Sequence, residues 1–186
     1  MLKSPILRFG LLAVAFLSLH AFASARMAPT KLLAFHPASM NVTGRISGNC
    51  WTASIAVNKS YAYRCMSGNE IHDPCFMLNA KSVACPLDPA HNSGVVMRLT
   101  KPLPKNPSSS MPVQPWVYVL ASGGTCTIGT GTRNPDYPYY CTGELVCSAP
   151  APTNVATGTY TVRCGKQVTQ IAVRGLHTVP VTTIWR

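Results

Sequence analysis

The chain has 186 residues, with sixteen Lys and Arg against five Asp and Glu, a formal net charge of +11 and eight cysteines. No Gly-x-Ser-x-Gly, Walker or dinucleotide-binding signature occurs, which removes the common hydrolase elbow and the nucleotide-binding classes. No Cys-x-x-Cys pair or close Cys/His cluster occurs either, so neither zinc nor any other cofactor is expected.

Lys3 and Arg8 lead into a nearly unbroken apolar run, 9–23, followed by the small residues Ala23-Ser24-Ala25. This is the pattern of a secretory signal peptide spanning 1–25, too short in its apolar part for the ~20 residues of a membrane span. The expected mature chain is therefore 26–186, a single secreted disulfide-rich β domain with no membrane span. Without Lys3 and Arg8 it keeps fourteen basic residues against five acids, a net of +9. Such a surface favours anionic partners, yet the basic residues are scattered singly along the chain.

Cys50, Cys65, Cys75, Cys85, Cys126, Cys141, Cys147 and Cys164 all lie in the mature part. An even count in an exported chain reads as disulfides, although eight cysteines allow roughly a hundred pairings. Sequential pairing is expected: Cys50 with Cys65, Cys75 with Cys85, Cys126 with Cys141, and Cys147 with Cys164.

In chain order, 26–44 is broken by Pro29 and Pro37 and reads as a leader or an edge strand. Residues 50–57 alternate, with Trp51, Ala53, Ile55 and Val57 on one side, which predicts a half-buried strand. Ser60 is placed to N-cap a two-turn helix over 61–66 that stops at Gly68-Asn69, with a strand as the competing reading. Asp73-Pro74 reads as the start of a turn, and 75–79 and 82–85 as paired strands around Ala80-Lys81. Another strand covers 94–100. The Pro/Ser-rich stretch 101–115 then splits the cysteines four and four, as a linker between two lobes or, in the reading preferred here, a surface loop of one domain. The second half alternates from Trp116, Tyr118 and Leu120 onward, with strands at 125–128, 143–149, 159–164, 166–173 and 179–185. Short strands at regular spacing predict an all-β sandwich or barrel, with at most one or two short helices.

Three constellations suggest chemistry. Cys50-Trp51 resembles the nucleophile step of papain-like proteases, with His177 downstream. The flanking Gly48-Asn49 does not fit that family, and a thiolate at Cys50 would orphan one member of the even set. Glu70, His72 and Asp73 crowd one short stretch between Cys65 and Cys75 and could serve acid/base hydrolysis of a glycan, which needs two carboxyls at a defined separation. The plainer alternative has Asp73 capping a turn and Glu70 pairing with Arg64. His36, His72, His91 and His177 show no metal-ligand spacing. Among the aromatics, Trp51, Tyr61, Tyr63, Trp116 and Tyr118 could stack on sugar rings or bases, and core packing explains Trp51, Trp116 and Tyr118 equally well. The loop bearing Asp136, Tyr137, Tyr139 and Tyr140 crowds aromatics into a turn and is the expected contact surface.

The runs Cys-Trp-Thr-x-Ser-Ile-Ala from Cys50 and Ala-Tyr-Arg-Cys-Met-x-Gly-Asn-Glu-Ile-x-Asp-Pro-Cys-Phe from Ala62 resemble a set of uncharacterised secreted cysteine-rich bacterial proteins. The resemblance implies a small exported module of bacterial envelopes and no particular activity.

The sequence thus points to a secreted or periplasmic binding module for an anionic cell-wall glycan or another extracellular protein, with nucleic acid not expected. A small envelope-polymer hydrolase using Glu70, Asp73 and His72 is the alternative, and a secreted inhibitor or immunity factor the third. The expected intact mass, after alkylation without reduction, starts at Arg26 and carries no alkyl group. Two or more alkylated cysteines would break the framework.

Overall fold

The computed structural model describes residues 27–105 and 114–186; the expected leader and 106–113 of the Pro/Ser-rich loop lie outside them. Among the described residues the chain forms thirteen strands and two single 3-10 turns, with no α-helix. No helix there is long and apolar enough to cross a membrane.

The first strand, β1 (Lys31–Leu33), pairs in parallel with the last, far away in sequence. The next five, β2 (Asn41–Ala53), β3 (Ala62–Ser67), β4 (Glu70–Asn79), β5 (Ser82–Asp88) and β6 (Ser93–Leu99), close into a barrel through a parallel β2–β6 seam. Gly48 sits on that barrel because a Cβ there would lie 2.1 Å from the Met66 carbonyl oxygen. The remaining strands are β7 (Val117–Leu120), β8 (Thr125–Ile128), β9 (Tyr139–Cys141), β10 (Leu145–Cys147), β11 (Ala151–Asn154), β12 (Thr159–Gln167) and β13 (Val173–Trp185). They form a sheet in the order β1-β13-β7-β8-β9-β10-β12-β11, and the β12–β13 pairing closes its middle into a second barrel. The chain is all-β and disulfide-stabilised, as its spacing predicts.

Four local expectations are corrected. The 61–66 helix is strand β3: Cys65 lies directly opposite Cys50 on β2, so Tyr63 and Cys65 are buried while Met66 is exposed. Six residues are too few to nucleate a helix against that pairing. The 50–57 strand ends at Ala53, because the Ser54 hydroxyl accepts the N–H groups of Ala56 and Val57 and turns the chain. Ile55 is consequently exposed and Ala56 and Val57 are buried, while Trp51 is exposed within β2 at the register shift between Cys50 and Thr52. Asp73-Pro74, a cis peptide bond, lies within β4 and opens no turn. The expected 166–173 strand is divided between β12 and β13, with the chain turning in between.

The four disulfides are Cys50–Cys65, Cys75–Cys85, Cys126–Cys141 and Cys147–Cys164. Each links neighbouring antiparallel strands; three of the pairs are direct cross-strand partners. The first two bridges make up half of the small core inside the first barrel, with Tyr63, Val83, Val95 and Met97. Loops spanning 10 to 17 positions correspond to about 3 kcal/mol each in chain-entropy models.

The larger core cluster draws on both barrels. Phe76 from β4 meets Trp116, just before β7, at 5.7 Å between centroids, and Phe35 packs against both at 4.9 and 5.6 Å. Phe35 belongs to the segment that leaves β1, on the second barrel, to enter β2, on the first. β1 itself is fastened at its start by Thr30, whose hydroxyl donates to the Val181 carbonyl at 2.7 Å. Truncating a fully buried Phe costs about 3–5 kcal/mol. Phe76→Ala is therefore expected to lower stability by about that amount in urea titration. Because the ring lies in the shared cluster, the near-ultraviolet signal of Trp116 should be lost in the same transition as the first barrel.

Candidate functional site

Where the barrels meet, a cleft of about 510 Å³ opens between the start of β4 on one side and the β8–β9 region on the other. From the first barrel it takes Glu70, His72 and Asp73; from the second, Trp116, Thr130 and Tyr140. A neighbouring hollow of about 570 Å³ shares Leu87, Pro89, Thr127 and Tyr140 with it, so the two form one continuous groove. Asp88 and His91 line its far end, with the carboxylate 2.7 Å from the imidazole Nδ1. Tyr140 stands where the two halves join.

Its ring is held in place. A Cβ on Gly129 would come within 2.5 Å of the Tyr140 ring, so only glycine allows the ring to lie against that backbone. The Tyr140 hydroxyl donates to the Thr132 carbonyl at 3.3 Å. The result is a fixed, 38% exposed aromatic surface between threonine-rich walls.

Glu70 and His72 sit close together, carboxylate to Nε2 at 3.9 Å, which is too long for a hydrogen bond. The His72 side chain is only 6% exposed, whereas that of Glu70 is 73% exposed. Asp73 is different in kind. Its side chain is wholly buried and accepts hydrogen bonds from the Ser54 hydroxyl and, at 3.2 Å, the Ile55 N–H. Arg64 lies 3.7 Å away and also donates to the Thr130 carbonyl of the second barrel at 2.7 Å, with its guanidinium over the Trp51 ring. Asp73 thus holds the junction together and is occupied on every side. The expected Glu70–Arg64 pair does not form; Asp73 takes that place.

Two buried side-chain nitrogens among the described residues have no hydrogen-bond partner: His72 Nε2 and Trp116 Nε1. Both residues line the cleft. An unsatisfied buried polar group costs about 1–3 kcal/mol, and native proteins carry few of them.

Of the expected aromatic loop, only Tyr140 reaches the groove. Tyr139 is buried in the second barrel, where its hydroxyl donates to the Pro115 carbonyl and its ring packs 4.8 Å from that of Tyr118. Burial pushes both tyrosine hydroxyls far above the usual phenol range. Asp136 is exposed and Tyr137 half-buried, and neither lines the groove. Cys50 is in a disulfide, which removes the thiol-hydrolase pairing with His177. The Sγ atoms of Cys126, Cys141 and Cys147 gather within 4.8 Å, but as disulfide sulfurs they are not thiolate ligands. The threonine walls and the Arg64–Thr130 link carry no signal in the sequence, because they arise only where the barrels touch.

No family model matches the chain, and neither a curated protein nor a solved structure is significantly similar to it.

Burial raises the Asp73 carboxyl above its ordinary 3.8, against the lowering pull of Ser54, the Ile55 N–H and Arg64. A folded-state pKa above the unfolded one means that the native state holds the proton more tightly. Stability from this group therefore rises as pH falls from neutral toward 3.8. Asp88, held low mainly by its hydrogen bonds with His91, opposes only below that range. The urea midpoint of the wild type is expected to climb across this window, and the climb should vanish in Asp73→Asn.

Proposed function

We propose that this is an exported, disulfide-stabilised binding module acting at or outside the bacterial cell envelope, and that its partner is a glycan chain lying in the groove between the barrels. Four disulfides fit an oxidising extracellular or periplasmic compartment. The likeness of 50–76 to secreted bacterial proteins supports the envelope setting.

The observation that carries the reading is the pair of orphaned ring nitrogens, His72 Nε2 and Trp116 Nε1, in the wall of one groove. The indole N–H can only donate, and the imidazole can donate or accept, so the complementary ligand is rich in oxygen. A fixed Tyr140 ring and threonine hydroxyls add the apolar face and polar edges that a sugar ring presents. The groove's two joined halves suit a linear chain. Hydrolysis is the weaker reading, because it requires two available carboxyls and Asp73 is buried and fully engaged. Of the groove's other two carboxyls, Glu70 stands beside His72 and Asp88 is paired with His91 at the far end.

Titrating isotope-labelled protein with oligosaccharides released from bacterial wall tests this. The Trp116 Nε1–H resonance is expected to shift on binding, and Tyr140→Ala to weaken affinity by about tenfold. A Trp116 signal that stays still, or full affinity in Tyr140→Ala, rejects the groove as the site.

A further inference from the structure

Cations that are scattered along the sequence are gathered by the register of the first barrel. In the parallel seam, Arg45 on β2 lies beside Val96 on β6, and Ser47 beside Arg98; on the other flank Ser82 of β5 is opposite Arg98. Val83 and Met97, next to Ser82 and Arg98 in sequence, belong to the barrel's inner core. Strand alternation therefore puts Arg45, Ser47, Ser82 and Arg98 on the outer face. Lys81, at the β4–β5 turn, and Lys101, just past β6, extend it.

Two hollows on this face share Arg98. One, of about 420 Å³, also takes Arg45, Ser47 and Ser82; the other, of about 510 Å³, takes Lys81 and Lys101. No acid lines either. Among the described residues, Asp73, Glu70, Asp88 and Glu144 stand beside Arg64, His72, His91 and Lys166, all elsewhere in the fold. Asp136 lies in the loop before β9. None of the four cations on this face is in an ion pair.

We propose that this face is a second binding site, specific for phosphate groups spaced along an extracellular polyanion. It uses none of the groove's residues, so it stands or falls separately from the glycan reading. Four like charges without counter-charges form a local positive field that an anion relieves. Two of them are guanidinium forks matched to phosphate oxygens, and Ser47 and Ser82 flank Arg98 on either side. A lipid surface fits less well: the large apolar side chains lining the hollows, Ile46, Val96 and Leu99, are half-buried and offer no anchor for insertion. Nucleic acid fits less well too, since no aromatic ring lines either hollow for bases to stack on.

The test is calorimetric titration with long-chain inorganic polyphosphate, with dextran as the uncharged blank. Phosphatidylglycerol vesicles and single-stranded oligothymidylate serve as the competing ligand classes. The wild type is expected to bind polyphosphate, more weakly as salt rises. Arg45→Gln with Arg98→Gln should weaken binding by about tenfold or more, and Lys81→Gln with Lys101→Gln should weaken it in the same direction. Arg163→Gln with Arg174→Gln, exposed on the β12–β13 ribbon and equal in charge removed, should leave it near wild type, as should Tyr140→Ala. Equal losses from the ribbon pair and the face pair would reduce the effect to net charge and overturn the site. So would undiminished affinity in both face pairs, or binding confined to vesicles or to the oligonucleotide.

Discussion

The packing of Phe35, Phe76 and Trp116 fixes where the two barrels meet, and the groove follows from that meeting. Phe76 leaves the first barrel's wall to reach Trp116, and Phe35 fills the angle edge-on to the indole. Rings of this size bring a large apolar area and a preferred tilt, so the contact sets an orientation as well as an attraction. Arg64 reinforces it across the polar rim, tying Asp73 on one barrel to the Thr130 carbonyl on the other. Trp116 then serves twice. Its ring completes the junction core, and the residue also borders the groove, with a buried indole N–H that the protein leaves unpartnered.

A five-stranded barrel encloses little space, and the interior of this one shows how that is managed. Half of its buried cluster is cystine sulfur, and the apolar side chains around it are few. Small domains that cannot bury enough apolar surface commonly rely on disulfides in this way. The bridges leave the outer face free for polar and charged residues, since that face contributes nothing to the core. A basic face on β2, β5 and β6 is therefore compatible with the barrel's stability, as the same charges directed inward would not be.

The local features of this fold were readable from the sequence, and the long-range ones were not. Cysteine spacing carried the disulfide pairs, and alternation carried most of the strands, because the bridges span at most 17 positions and alternation fewer still. The 61–66 segment misled because two tyrosines and a cysteine fit either period, and only the pairing of Cys65 with Cys50 selects the strand. Glu70, His72 and Asp73 were visible as a cluster, but their separate fates depend on Ser54 and Arg64, which no spacing rule connects to them. Tyr140 was singled out together with Tyr139, and adjacent residues on a strand point opposite ways, so one faces the groove and the other the core. The basic face was hidden for the same reason: Arg45 and Arg98 become neighbours only through a parallel seam between distant strands.

The junction rests on a one-residue irregularity in β4. Opposite β3, His72 faces Cys65 and Cys75 faces Tyr63, so Asp73 and Pro74 together oppose Arg64 alone. This is a β-bulge, and it reverses the alternation beyond it. Counting in strict twos from His72 would send Cys75 outward and Phe76 inward. Cys75 would then miss Cys85, and Phe76 would overfill a barrel whose interior is already taken by sulfur. With the bulge, Cys75 turns inward to its disulfide and Phe76 turns out to Trp116. Asp73, the residue displaced by the bulge, is secured by Ser54, Ile55 and Arg64. The buried carboxylate that first suggested catalysis thus has a structural task. It stabilises the bulge that allows one strand to staple the first barrel, dock the second and line the groove between them.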